Sequence, residues 1–221
     1  MPILRCSCGQ VEAKITGKPF GRINCYCHSC TACARFVDEK NTSDKTSGTS
    51  GLTSDGNGNA IVFYKPDQLG AFTFNKDEGS ENLIGALQLG DKGSAHRFYA
   101  KCCNTYLTGT HSTYLCLNPN ALYIEDDNNN TTKLYDPTLS PAVVASTVPN
   151  VMRKFAFDPS TVPEPAFNIF PMTVASLKNI AAFLNVFFAP TLKPESGLVV
   201  VKSEDDGSSN MTIEVVPITW E

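Results

Sequence analysis

The sequence lacks the features that mark membrane, secreted and nucleic-acid-binding proteins. No apolar run reaches the roughly 18 residues that a membrane span needs, and the longest, IAAFLNVFFAP, is interrupted by Asn185. The N-terminal stretch MPILRCSCGQ has no apolar signal-peptide core. Lysine and arginine are scattered, and the formal net charge is −4. We therefore expect a cytoplasmic protein with neither a membrane nor a nucleic acid as a partner.

Several catalytic patterns are also missing. The chain shows no Ser–His–Asp order, no phosphate loop and no pair of carboxylates at catalytic spacing. An acid or base for any reaction would have to come from tyrosine, from His28 or from water.

Cysteine, in contrast, is abundant. The chain has nine cysteines, an odd number, and several lie only one or two residues apart. Thiols spaced so closely rarely bridge to each other, because a disulfide requires suitably placed Cα atoms and Cβ vectors. In a reducing compartment, clustered cysteines more often bind a metal.

Short alternating segments predict a mainly β fold for residues 1–125. The segments that read as strands are QVEAKI, IVFYKP, AFTFN, NLIGALQL, HRFYAKCCNTYL, TYLCLN and ALYIED. Residues 37–60 are almost all polar or glycine, and we interpret them as a mobile insertion loop.

Residues 126–221 differ in composition and are predicted to form an extension packed on the β core. A polar break at 126–132 is followed by a proline-rich stretch and then by one helix at about 172–188, where apolar residues recur at three- and four-residue steps. The last segment, from GLVVVKS to MTIEVVPITW, reads as a β-hairpin.

The segment NCYCHSC supplies three thiols from one short loop. Cys25, Cys27 and Cys30 match the ligand type that zinc prefers. If Cys33 turns away, the site keeps an open position, as catalytic zinc sites do, and if Cys33 joins, the site is closed and structural. His28 lies between the ligands and is the less favoured candidate for a fourth position.

A second set of thiols comes from two distant segments. Cys6 and Cys8 lie in CSCG, and Cys102 and Cys103 lie in AKCCNT. Together they would form a four-sulfur site that staples the chain. Adjacent residues of a strand point to opposite faces, so Cys102 and Cys103 can share one metal only if the backbone bends there. The alternative is one ligand and one buried thiol.

These segments resemble the glutathione-dependent formaldehyde-activating enzyme family, which also contains centromere protein V. CSCGQV, NCYCHSC and HRFYAKCCNTYL are similar, in order, to the family patterns C-x-C-G-x-V, N-C-x-C-x-x-C and F-C-x-x-C-G-T. Ala100 stands where the late pair has its first thiol, and Asn104 stands where the family has glycine. The CC-x-T form resembles a divergent branch that carries its own C-terminal region.

The resemblance implies a zinc-binding β fold of the Mss4-like type with one or two Zn²⁺ ions. It implies a structural zinc at Cys6, Cys8 and Cys103, with Cys102 replacing the missing thiol, and a second zinc at Cys25, Cys27 and Cys30 as the active centre. The reaction implied is that of a carbon–sulfur lyase acting on an aldehyde adduct of glutathione or another small thiol.

Three hypotheses follow for the function. The first is this zinc-dependent lyase, which needs an open position at the middle site. The second is a non-catalytic zinc-stabilised binding module, which predicts that Cys33 or His28 closes the site or that residues 37–60 cover it. The third is a thiol redox or metal-buffering protein, which predicts reversible oxidation of the clustered thiols.

Overall fold

The computed structural model describes residues 2–40, 50–74, 83–89, 96–111, 114–126, 131–134, 148, 150–168 and 215–218. Within these ranges the regular structure is mainly β-strand, with one α-helix, α1 (His28–Glu39), and short 3₁₀ helices. No helix in the described part of the chain is long and apolar enough to cross a membrane. The mainly β prediction is confirmed.

Two sheets contain all the described strands. In chain order the strands are β1 (Pro2–Arg5), β2 (Val11–Ile15), β3 (Gly21–Cys25), β4 (Asn59–Tyr64), β5 (Leu69–Phe74), β6 (Ile84–Leu89), β7 (His96–Ala100), β8 (Thr105–Thr110), β9 (Leu115–Leu117), β10 (Leu122–Glu125), β11 (Thr131–Lys133), β12 (Asn150–Val151) and β13 (Val215–Ile218). The first sheet has the order β11-β10-β1-β2-β5 and is antiparallel. The second has the order β12-β3-β4-β9-β8-β7-β6-β13.

The main core lies between the two sheets. Strand β2 alternates as its sequence predicts, with Val11, Ala13 and Ile15 buried and Lys14 exposed. These side chains join one apolar cluster with residues of the second sheet such as Phe98. Removal of this apolar surface from water drives the packing of the sheets.

Helix α1 begins directly after the cysteine loop and was not predicted from the sequence. It buries Thr31, Cys33, Ala34 and Val37 against the second sheet. The predicted insertion loop at 37–60 is therefore wrong at its start, because residues 37–39 are helical. It is also wrong at its end, because β4 begins at residue 59.

The described end of that segment is fixed to the rest of the chain. Residues 50–58 are held by a hydrogen bond from Thr31 Oγ1 to the carbonyl of Asn57, 3.2 Å, and by one from Tyr26 Oη to Asp55 Oδ2, 3.1 Å. These residues therefore make defined contacts with α1 and with the loop before it, and residues 41–49 lie outside the described part.

The segment HRFYAKCCNTYL was predicted as one strand, and this is wrong. It forms the end of β7, a turn over residues 101–104, and the start of β8. Asn104 has φ = 47°, the left-handed conformation that asparagine tolerates better than most residues. Its side-chain amide donates a hydrogen bond to the carbonyl of Lys40, 3.1 Å, which ties this turn to the end of α1.

Two strands from beyond residue 125 extend the second sheet at its opposite edges. Strand β12 pairs in parallel with β3, and β13 pairs in parallel with β6. The predicted helix at about 172–188 and most of the predicted hairpin lie outside the described residues. The division of the chain at residue 125 stays a prediction.

Candidate metal centres

The first cysteine cluster joins two turns that are distant in sequence. Cys6 and Cys8 lie in the turn between β1 and β2, and Cys102 and Cys103 lie in the turn between β7 and β8. Because the backbone turns at residues 101–104, adjacent side chains need not point to opposite faces as they would in a strand. We call these four cysteines the staple site.

The sulfur atoms of the staple site have spacings that suit one tetrahedral zinc ion. The Sγ–Sγ distances are 3.5 Å for Cys6–Cys8, 3.3 Å for Cys8–Cys102 and 3.8 Å for Cys6–Cys102, and all four sulfurs lie within 4.8 Å of one another. Zinc–sulfur bonds of about 2.3 Å at tetrahedral angles place sulfurs about 3.8 Å apart. Both adjacent thiols belong to the cluster, so the alternative of one ligand and one separate buried thiol is not what the structure shows.

Neighbouring groups orient the sulfurs of the staple site. The amide of Val11 donates to Cys6 Sγ at 3.2 Å, and Cys103 Sγ lies 3.1 Å from Thr105 Oγ1. Hydrogen bonds from the thiols of Cys102 and then Cys6 hold the pKa of Cys103 well below its usual range. A thiolate is therefore favoured here, as a metal ligand requires.

The second cluster lies where β3 ends and α1 begins, and we call it the loop site. Cys25 is the last residue of β3, Cys27 is the N-cap of α1, and Cys30 lies in the first turn of the helix. Residues three apart on a helix lie on one face, which brings Cys30 back beside Cys27. The intervening Tyr26 is buried and packs with Ala156 and Val162.

The loop site has three sulfur donors. Cys25 Sγ and Cys27 Sγ are 3.4 Å apart, and the three sulfurs lie within 4.8 Å of one another. No fourth His, Cys, Asp or Glu of the described residues shares this cluster. Hydrogen bonds from Cys25 and then Cys30 lower the pKa of Cys27 to about 2, and the positive end of the helix dipole favours the same thiolate.

The two candidates for closing the loop site lie elsewhere. Cys33 is fully buried in an apolar cluster with Val37, Leu87, Tyr99 and Tyr106, and burial raises its pKa to about 12. His28 stacks on Phe157, with ring centroids 4.2 Å apart. Neither belongs to the cluster of three sulfurs.

Replacement of Cys33 by alanine should leave the metal content unchanged. The substitution removes one sulfur from a packed core, so we expect the free energy of unfolding to fall by about 1–2 kcal/mol. Chemical denaturation and elemental analysis of the purified variant measure both quantities. Loss of a zinc ion from this variant would show that Cys33 is a ligand after all.

Arg97 is a neighbour of the loop site that sequence reasoning missed. Its side chain is only 5% exposed, and its Nη2 lies 3.9 Å from Cys30 Sγ and 3.5 Å from Ser29 Oγ. In the sequence Arg97 stands beside Phe98 and Tyr99 in a predicted strand, and a charged residue next to these aromatic residues was the available signal.

Strand β12 supports the loop site through its pairing with β3. Val151 is fully buried and pairs with Cys25 in the register of β12 with β3. Its carbonyl accepts a hydrogen bond from the amide of Tyr26 at 3.1 Å, and Asn24 Nδ2 donates to Asn150 Oδ1 at 3.0 Å. The backbone on both sides of Cys25 is thus held by residues 150 and 151, for which the sequence suggested no role.

Aromatic side chains form a further boundary of the loop site. Tyr114 packs against the cluster that contains Cys25, Cys27 and Cys30, and it stacks on His111 with ring centroids 4.5 Å apart. Burial, with a smaller effect of the Arg97 charge, lowers the pKa of His111 to about 4. His111 is therefore neutral near pH 7.

Comparison with known proteins supports the resemblance over the N-terminal segment. Residues 1–58 match the family described as glutathione-dependent formaldehyde-activating enzyme, which confirms that the chain is similar to this family there. The match contains Cys6 and Cys8 together with the loop site, and it ends before Cys102 and Cys103. No curated protein matches the chain.

Proposed function

We propose that the chain is a zinc-dependent carbon–sulfur lyase that acts on an adduct of an aldehyde with a small thiol such as glutathione. The observation that carries the proposal is the difference between the two clusters. The staple site offers four sulfurs, whereas the loop site offers three, and no fourth donor of the described residues joins them. Four protein ligands are typical of structural zinc, and three with an open position are typical of catalytic zinc.

The residues of the loop site fit zinc better than calcium or magnesium, because thiolates are soft ligands. A zinc ion held by Cys25, Cys27 and Cys30 would lower the pKa of an incoming thiol and favour its thiolate form. The three cysteines would hold the ion, and Tyr114 packs against the apolar cluster that contains them. Cleavage of the adduct breaks its carbon–sulfur bond, returns the thiol and releases the aldehyde when the adduct's hydroxyl loses its proton.

The location proposed for this activity is the cytoplasm. Glutathione is kept reduced there, and cysteines without disulfide partners persist. In an oxidising compartment the staple site would be open to oxidation, because its Cys8 is exposed.

The binding-module hypothesis predicts that Cys33 or His28 closes the loop site or that residues 37–60 cover it. The described residues do not support closure by either side chain, and residues 41–49 of the covering segment lie outside the described part. Cys33 lies in the core and His28 lies against Phe157.

Cobalt substitution tests the open position directly. Co²⁺ in place of zinc gives sulfur-to-cobalt charge-transfer absorption that grows with the number of thiolate ligands. We expect glutathione to increase this absorption and S-methylglutathione, which has no free thiol, to leave it unchanged. The Cys27→Ser variant, which keeps the staple site, should show no response to either compound. Equal spectra of the wild-type protein with and without glutathione would contradict the proposal.

A further inference from the structure

We propose that Arg97 is a positioning residue of the loop site, which orients two of its three sulfurs, Cys30 Sγ by a direct contact and Cys27 Sγ through Ser29. This inference rests on the proposed function, since it requires that the loop site binds a metal. It assigns a role to a side chain that is not itself a candidate metal ligand and lies in a different strand from Cys25.

The contacts of Arg97 reach two ligands by different routes. Its Nη2 lies 3.9 Å from Cys30 Sγ, within reach of a hydrogen bond to sulfur. The same nitrogen donates to Ser29 Oγ at 3.5 Å, and Ser29 Oγ lies 3.4 Å from Cys27 Sγ. Groups that hydrogen-bond to metal ligands orient them and tune the metal, and their loss commonly weakens metal binding about 10- to 100-fold.

The fold delivers the arginine to this place. Arg97 lies in β7 and pairs with Leu87 on one side and with Gly109 on the other. A Cβ atom at residue 109 would lie 3.1 Å from Tyr106 Oη, which is tight, and 3.4 Å from Arg97 Cγ, which is an ordinary contact. From β7 the guanidinium reaches the start of α1, where it contacts Ser29 and Cys30.

The charge of the loop site explains why a buried guanidinium is placed beside it. Three thiolates and one Zn²⁺ ion carry a net charge of −1, which is costly to bury without compensation. Arg97 supplies a single positive charge in the same region. A guanidinium also offers several donors in a fixed fork, which suits two acceptors better than an ammonium group does.

The test compares Arg97→Met, Arg97→Lys and Ser29→Ala with the wild-type protein in competition for zinc against a chromophoric chelator. We expect Arg97→Met to weaken zinc binding at the loop site by about 10- to 100-fold and to leave binding at the staple site unchanged. Arg97→Lys, which keeps the charge, should recover part of the affinity, and Ser29→Ala should lose less than Arg97→Met. In the cobalt-substituted protein the charge-transfer bands of the loop site should shift in Arg97→Met, an effect that a purely structural role would not produce.

The outcomes separate this inference from the proposed function. If Cys27→Ser removes no metal, the metal centre itself is wrong. If Cys27→Ser removes one metal ion while Arg97→Met folds and binds zinc as the wild-type protein does, only the role of Arg97 is overturned. If Arg97→Met does not fold, the other two variants decide. Unchanged zinc affinity and unchanged cobalt bands in both Arg97→Lys and Ser29→Ala would then overturn the role of Arg97.

Discussion

Replacement of Cys103 by serine is expected to lower the free energy of unfolding by about 4 kcal/mol or more, a loss typical of removing a structural metal. Cys103 belongs to the staple site, whose four sulfurs lie within 4.8 Å of one another. The site connects the turn after β1 with the turn after β7, and Cys6 and Cys102 are separated by 96 positions in the chain. A metal ion bound only in the folded state adds its binding free energy to stability.

Denaturant unfolding of Cys103→Ser in zinc-containing buffer measures this effect. Cys116→Ala is the control, because Cys116 lies outside both clusters. Cys116 is buried, whereas Cys103 is partly exposed, and we expect the control substitution to cost about 1 kcal/mol. If both variants unfold at the same denaturant concentration, the staple site does not hold a structural metal.

Replacement of Cys27 by serine is expected to reduce the lyase activity to the uncatalysed rate while the fold persists. Cys27 Sγ lies 3.4 Å from Cys25 Sγ and 3.4 Å from Ser29 Oγ, so its loss removes the central ligand of a site with only three sulfurs. The staple site, the apolar core and the strand pairing do not depend on this side chain. The three cysteines lie within six consecutive positions, so the unfolded chain can also bind zinc there, which weakens the link between metal binding and stability. We therefore expect the free energy of unfolding to fall by less than in Cys103→Ser.

Because an enzyme accelerates a reversible reaction in both directions, the activity can be followed in the reverse direction, as the rate at which formaldehyde disappears when it forms the adduct with glutathione. Cys33→Ala is the control, since it removes a cysteine close in sequence that lies in the core, and we expect its activity to match the wild-type protein. Activity of Cys27→Ser within tenfold of the wild-type value would place the active centre elsewhere.

The parts of the fold that follow from local alternation could be predicted from the sequence. Val11, Ala13 and Ile15 alternate with polar residues and are buried as the pattern indicates. Helix α1 was missed because its first turn carries the polar and cysteine residues of a metal loop. Its buried face has only three apolar residues, Cys33, Ala34 and Val37.

The composition of the two clusters could also be predicted, but their surroundings could not. Closely spaced cysteines identify candidate ligands by chemical type, whatever the fold. Cys102 and Cys103 share one cluster because the chain turns between β7 and β8. The apolar residues on both sides of that turn made the whole segment read as one strand. Pairing of Val151 with Cys25 in parallel strands is a long-range contact, and no local pattern specifies it.

We propose that the chain holds two different zinc centres. The number of zinc ions per chain is the measurement that bears on this proposal first. Elemental analysis of protein purified without added metal should give two zinc ions for the wild type, one each for Cys27→Ser and Cys103→Ser, and none for the double variant. A single zinc ion that survives Cys27→Ser would leave the loop site without a metal. The absence of zinc from the wild-type protein would contradict both centres.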